Sequence, residues 1–340
     1  MLRSLYAGVS AMKANQIKLD VIGNNIANVG TTAFKSSRVR FQDMVSQSMS
    51  SALAPGTNQG GVNPKQVGLG VQVAGIDTMV GQGMMQPTSR NLDVAIDGEG
   101  YLMVSKGAVP AANANGVGLT GQTANAPIGT ELFYTRDGAL TLDSTGNLLN
   151  SDGLRVLGYA VTDGTNVSVE YETPKTPPTP PVVTYVDADE ALTVGTTPTL
   201  IPLVIPEKIG GVRIQTFSIE KDGMIKAVLE GGKVAVLGQI AMASFNNPAG
   251  LSKVGGNIYL NTSNSGDAVV RTGVGATATT TPVDNSAGYG DMLQGMIEMS
   301  NVDLAEQFTD MIIAQRAFQA AGKTITTGDE ILQEIINLKR

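Results

Sequence analysis

Hydrophobic residues recur at both ends of the chain with a helical step, and the stretch between them alternates in the manner of strands. Near the start, Leu2, Leu5, Val9, Met12, Leu19 and Ile26 fall on alternating steps of three and four, with Gln16 and Gly23 interrupting. Near the end, Phe308, Met311, Phe318, Ile325, Leu332 and Ile336 repeat that step, with Gln315, Gly322 and Asp329 interrupting. A period of 3.5 is the seam of a coiled coil. The pattern predicts one helix over 2–28, stopped by Gly30 as its C′ residue, and a second that begins between Tyr289 and Asp303 and runs to the C-terminus. A narrow apolar stripe with no neighbour in sequence needs one in space. The other end of the same chain, or the ends of other copies, are its candidate partners.

Between the helices the pattern changes. Residues 31–66 are polar and weakly periodic, which predicts an extended connector with a short helix near 39–50. Strand signals begin with VGLGVQVAGI (67–76) and continue in NLDVAIDGEGYLMV (91–104) as strand, Gly-rich turn, strand. FYTRDGALTLDSTGNLL (133–149) carries turn signals at Asp137-Gly138 and Thr145-Gly146-Asn147, spaced like a β-meander. Strands resume over 212–229, with a turn at Asp222-Gly223, continue through 233–245 and end near 275. Residues 107–130 look like a loop insertion, and TPKTPPTPP (173–181) reads as a polyproline linker, since proline lacks the N–H of an interior strand. The fold class is therefore α+β: terminal α-helices forming a coiled-coil domain, with a mainly antiparallel β domain inserted between them. The expected boundaries are a terminal helical domain of 1–30 and 291–340, connectors at 31–66 and 276–290, a β domain of 67–160 and 211–275, and a Pro-rich linker with a small insertion at 161–210.

Composition narrows the chemistry. The chain has 340 residues, a formal net charge of −7 and no Cys, His or Trp. The charge argues against a general nucleic-acid binder. Lacking Cys and His, the chain can build no disulfide, thiolate metal site, Cys nucleophile or Ser-His-Asp triad. Gly68 and Gly70 begin a GxG without a third glycine or a following helix, and Asp93, Asp97 and Glu99 do not have the spacing of an EF-hand loop. No catalytic, metal or cofactor site is expected. No run approaches the roughly 18 apolar residues of a membrane helix, and the first helix, broken by Lys13, Asn15, Gln16 and Lys18, is not patterned as a secretory signal.

Charge separates the two ends. Residues 1–40 hold six Lys/Arg against one acid, Asp20, whereas residues 291–340 hold eight acids against four Lys/Arg. Opposite fields favour docking of the termini, although any single charge reads as a solvated position. Three amides, Asn24, Asn25 and Asn28, cluster near the end of the first helix. Asn24 and Asn28 share a face beside Gly23 and Ala27. Two readings stand: a buried amide contact that fixes helix register, or capping of a fraying end.

LDVIGNNIANVGTTAFK (19–35) resembles the N-terminal signature of the bacterial flagellar rod and hook proteins, and SNVDLAEQFTDMIIAQRAFQAAGKTITTGDEILQEIINL (300–338) resembles the matching C-terminal signature. The resemblance extends over most of the chain outside about 105–130 and 160–210. VGLGVQVAGI and SNVDLAEQFTDMIIAQRAFQ are most similar to the hook members, with the distal rod members as the alternative. The short 160–210 region departs from hook members that carry a large outer domain. The resemblance implies a subunit that polymerises into a hollow axial tube, with the helices as its inner wall and the β domain outside. It implies an assembly interface drawn from Leu2, Leu5, Val9, Met12, Leu19, Asn24, Asn25, Ile26 and Asn28 at one end. At the other end the interface draws on Phe308, Met311, Gln315, Phe318, Gly322, Ile325, Leu332 and Ile336. It further implies an extracellular flagellar location reached through the type III export apparatus. The implied partners are other copies of itself, the distal rod protein, a hook–filament junction protein and a hook cap, with no nucleic acid and no membrane.

Overall fold

The computed structural model describes residues 2–54, 60–107, 116–120, 123–125, 129–171, 181–188, 192–194, 199–271, 273 and 289–338. Nearly all of the Pro-rich run at 173–181, and most of the 276–290 connector, lie outside the described residues. By internal packing the chain forms two units: one of residues 1–30, 35–80 and 301–340, the other of 31–34 and 81–300.

In the first unit the opening helix, α1, runs Leu2–Ala27. It closes with Asn28 N–H donating to the carbonyls of Asn24 and Asn25, each at 3.2 Å, and Val29 N–H donating to Ile26 at 3.3 Å. Gly30 is therefore not its C′ residue; the positive φ in this region belongs to Ala33, at 54°.

Where a connector with a short helix is expected, the chain builds a ribbon. Strands β1 (Ser37–Asp43), β2 (Ser46–Ser50), β3 (Lys65–Gly68) and β4 (Val71–Thr78) pair antiparallel, β1 with β4 and β2 with β3. In β1, Arg38 and Arg40 alternate with Val39, and the half-buried Val39 faces Ile76 across the ladder. The partners are far apart in sequence, from Ser50 with Lys65 in the inner pair to Ser37 with Thr78 in the outer, so local periodicity carries no sign of the pairing. α1 packs on β1 and β4. At Gly70 (φ 136°) a Cβ would collide with Ser10, whose hydroxyl accepts the Val71 N–H at 3.4 Å. The bare glycine is what lets the ribbon approach the helix.

The closing helix, α2, runs Leu304–Asn337 and is capped by Asp303, whose carboxylate accepts the N–H groups of Ala305 and Glu306 at 2.8 and 3.3 Å. It begins later than the expected domain boundary at 291. Residues 291–294 and 296–298 are strands of the second unit, paired with Val94–Asp97 and Met85–Pro87.

The second unit is antiparallel throughout its described pairings. Its largest sheet has sixteen strands among the described residues. Tyr101–Gly107 is central, pairing with Thr130–Thr135, Arg155–Tyr159 and Met242–Ser244. The segment expected as linker and small insertion is partly core. Thr199–Pro202 lies between Arg155–Tyr159 and Val117–Thr120, and Leu200, Ile201 and Leu203 are fully buried. The turns at Gly146 and Gly223 have positive φ (83° and 86°) as their sequence suggests. Asp137-Gly138 is not a hairpin turn, because Thr141–Leu142 pairs with Leu148–Leu149 and not with the preceding strand. Packed apolar residues such as Val94, Ile96, Leu102, Val104, Leu140 and Leu237 form the core.

Candidate assembly interface

α1 and α2 lie antiparallel along a shared seam in the first unit. A Cβ on Gly328 would stand 2.9 Å from Leu5 Cδ2, and one on Gly8 3.0 Å from both Ile325 Cγ1 and Thr324 Oγ1. One on Gly322 would stand 4.0 Å from Met12 Sδ. Further along, Lys18 Nζ and Asp310 Oδ1 pair at 3.3 Å, which realises the charge asymmetry of the two ends as one half-exposed contact.

The seam is offset from the expected stripe. Leu5, Met12, Leu19 and Ile26 are half-buried along it, but the positions between them are Gly8, Asn15 and Ile22, each one residue before Val9, Gln16 and Gly23. The same holds in α2. Met311, Ile325 and Leu332 are half-buried and Phe318 borders the seam, while the buried positions are Ala314, Ala321 and Gly328, one residue before Gln315, Gly322 and Asp329. The polar interruptions of the expected stripe thus lie beside this seam, not within it. The small residues Gly8, Ala314, Ala321 and Gly328 bring the backbones close along it, which a search for large apolar residues does not detect.

The amide cluster divides. Asn28 donates to the carbonyl and side-chain oxygens of Asn24 at 2.9 and 2.6 Å near the helix surface, a local closing contact. Asn25 is the buried one, at 1% exposure. Its Nδ2 donates to Ser37 O at 2.8 Å and to Gln307 Oε1 at 3.0 Å, and its Oδ1 accepts Ser37 N–H at 3.0 Å. One side chain therefore joins α1, the start of β1 and the first turns of α2. Asn301, which the sequence reading passed over, does parallel work: Oδ1 accepts Ser36 N–H and Nδ2 donates to Met79 O, both at 2.8 Å.

Outside the seam a second set of apolar residues is exposed among the described residues. Val9 is exposed on α1, and Leu304, Phe308, Ile312, Ile331, Ile335 and Ile336 on α2. Phe308 and Ile312, half or more exposed, are one turn apart on one face. The ribbon adds Val45, Met49 and Leu53, each at least 65% exposed. Val67 and Leu69 alternate onto one ribbon face, and the bond from Met44 N–H to Gly70 O at 2.9 Å carries the pairing past Ser46 and Gly68, so that Val45 joins them. The Leu2 side chain lies outside the described residues. Among the described residues no group of three or more Asp or Glu could hold a metal, and no helix is long and apolar enough to cross a membrane.

The chain matches three protein families: "Flagella basal body rod protein" over residues 5–35, "Flagellar hook protein FlgE/F/G D1 domain" over 124–227 and "Flagellar basal body rod FlgEFG protein C-terminal" over 293–338. It is 41% identical over 340 residues to the flagellar basal-body rod protein FlgG of Bacillus subtilis, covering all of both chains. It is 31% identical over 475 residues to the flagellar hook protein FlgE of Borreliella burgdorferi, and 31% identical over 344 residues to the rod protein FlgG of the same organism, again covering all of each chain.

Proposed function

Because the chain belongs to the flagellar rod and hook protein family, part of the bacterial flagellum and structural in character, we propose that it is a distal rod subunit that polymerises into the axial tube. The carrying observation is the full-length match at 41% identity to a chain named as a rod protein. It backs the distal rod better than the hook reading favoured by the local motifs. The geometry supports polymerisation in either place. α2 presents Phe308, Ile312 and Ile335 to solvent after its seam with α1 is satisfied, and large uncovered apolar faces of this kind mark protein contacts. A tube needs repeated, non-closing contacts between different faces of identical subunits. The expected interface residues then separate into two groups, those that pair α1 with α2 and those left for neighbouring copies.

The hook remains a second reading, carried by the Borreliella hook protein, which matches at the same 31% identity as that organism's rod protein. In that case the neighbours are the distal rod protein, a junction protein and, during growth, a cap. Both readings have the subunit exported through the type III apparatus to positions outside the cytoplasmic membrane. Immunogold labelling of isolated hook–basal-body particles, with antibody to residues 81–300, decides. Gold on the straight stem supports the rod; gold along the curved external segment replaces it with the hook.

A further inference from the structure

Glu298 ends the strand Met296–Glu298 in the second unit and is 1% exposed. Its Oε2 accepts Arg136 Nε at 2.8 Å and its Oε1 accepts Gly83 N–H at 2.8 Å. Its backbone carbonyl accepts Ala33 N–H, also at 2.8 Å. Arg136 is itself buried and donates to the carbonyls of Ile96 and Gly98 at 3.2 and 2.7 Å. The adjacent Asp137 accepts the Thr32 hydroxyl at 3.1 Å, and Asn257 donates to Thr32 O at 2.6 Å.

These contacts share one property. The chain passes between its two units at 30/31, 34/35, 80/81 and 300/301. The segments 31–34, 81–83 and 298–300 are therefore the ends by which the second unit is attached. Each is bonded to Glu298 or contains it. A buried ion pair is a costly way to fill space, because two charges lose their hydration, and apolar residues of similar volume are often as stable or more so. What the pair supplies that apolar residues do not is directional hydrogen bonding to chosen backbone groups.

We propose that Arg136 and Glu298 form a clamp that couples the three attachment segments into one joint, through which tension on the terminal helices passes to the β unit. The coupling stands on these contacts alone; the tension rests on the reading of the chain as an axial subunit. Hydrogen exchange on the full chain tests the coupling. The double variant Arg136→Met/Glu298→Leu keeps the volume of the pair and removes the acceptor of Gly83 N–H. It is expected to speed exchange of the amides at 31–34 and 81–84 by about tenfold or more, leaving 102–104 and 235–237 as protected as before. Unchanged exchange at 31–34 and 81–84 overturns the clamp, and so does equal acceleration across the sheet, which would mean general stability only. If the double variant does not fold, Glu298→Gln is read the same way, with the neutral amide expected to give the smaller acceleration of the two segments. Cells carrying the folded variant are expected to swim normally in dilute medium and to break their flagella in viscous medium. Loosened segments with intact flagella under load remove the mechanical role. Failure of antibody to residues 81–300 to label any axial structure removes the axial reading and leaves the exchange result standing.

Discussion

Gly328 faces Leu5 across the helix pair so closely that a β-carbon on it would stand 2.9 Å from the Leu5 Cδ2. The seam between the first and last helices depends on that absence, repeated at Gly8 opposite Ile325. Gly328→Val is expected to push the helices apart and cost about 1–3 kcal/mol, the usual range for overpacking. Gly23→Ala makes the opposite test, since nothing lies within 4 Å of that position. In a helix interior it should stabilise by about 0.5–1 kcal/mol. Thermal melts followed by the helical circular dichroism signal separate the two. Equal loss in both variants would mean that the seam does not run where the two glycines place it.

The buried amide gives a sharper contrast within one cluster. Asn25→Ala leaves the Ser37 N–H and C=O and the Gln307 side chain without the partner that now bonds all three. An orphaned buried group costs about 1–3 kcal/mol, so denaturant titration of this variant should show a clear loss. Asn24 is exposed and its bonds are to Asn28 alone among those described. Asn24→Ala is expected to stay within about 0.5 kcal/mol of the parent. Comparable losses would show that the amides act as a group and not through Asn25.

The helix pair was legible in the sequence only in half of its positions. Leu5, Met12, Leu19, Ile26, Met311, Ile325 and Leu332 carry the repeat and lie along the seam. Large side chains drew the other half one residue late, because Val9 and Phe308 are apolar yet exposed in the single chain. A periodicity of hydrophobic residues cannot tell a face used inside the chain from one left for other copies. Small residues such as Ala314 and Ala321 mark the close-packed side but carry almost no hydrophobic signal. Strand pairing was hidden for a different reason. The partners of Ser37–Asp43 and of Asp291–Gln294 are distant in sequence, at Val71–Thr78 and Val94–Asp97. The Arg136–Glu298 contact joins residues 162 positions apart, and the turn signal beside Arg136 gives no hint of a partner so distant.

Alkaline pH should test the core of the β unit. Tyr101 and Tyr134 are buried there, with their rings edge-on to Phe245. Burial pushes both phenols from 10.0 up to about 12, with Arg136 acting in the opposite sense on Tyr101. The folded chain therefore keeps protons that the unfolded chain has released. The stability from each is fully present below about pH 10 and is lost as pH rises from there towards about 12, at up to roughly 1.4 kcal/mol per pH unit per tyrosine. Melting temperatures should fall steeply in that window. Phenolate absorbance should appear together with loss of the β signal and not before it. Early titration of these tyrosines in the folded chain would contradict their burial.

The exposed face of the last helix carries the prediction most directly tied to assembly. Phe308 is 50% and Ile312 58% exposed, one turn apart, and neither occupies the buried seam positions held by Ala314 and Ala321. Changing both to glutamine keeps good helix formers and removes exposed apolar surface. The monomer should therefore melt within about 0.5 kcal/mol of the parent. Polymerisation should fail, because burial of apolar area is the main drive to association and each large side chain can contribute about 1.5–3 kcal/mol at every copy of the contact. Sedimentation of the purified variant and electron microscopy of axial structures from cells carrying it give the two readouts. A stable monomer with no tube assigns this face to neighbouring copies. Normal tubes from the double variant would move the contact to the ribbon face of Val45, Val67 and Leu69, and a monomer that unfolds would show that the face is covered within the chain after all.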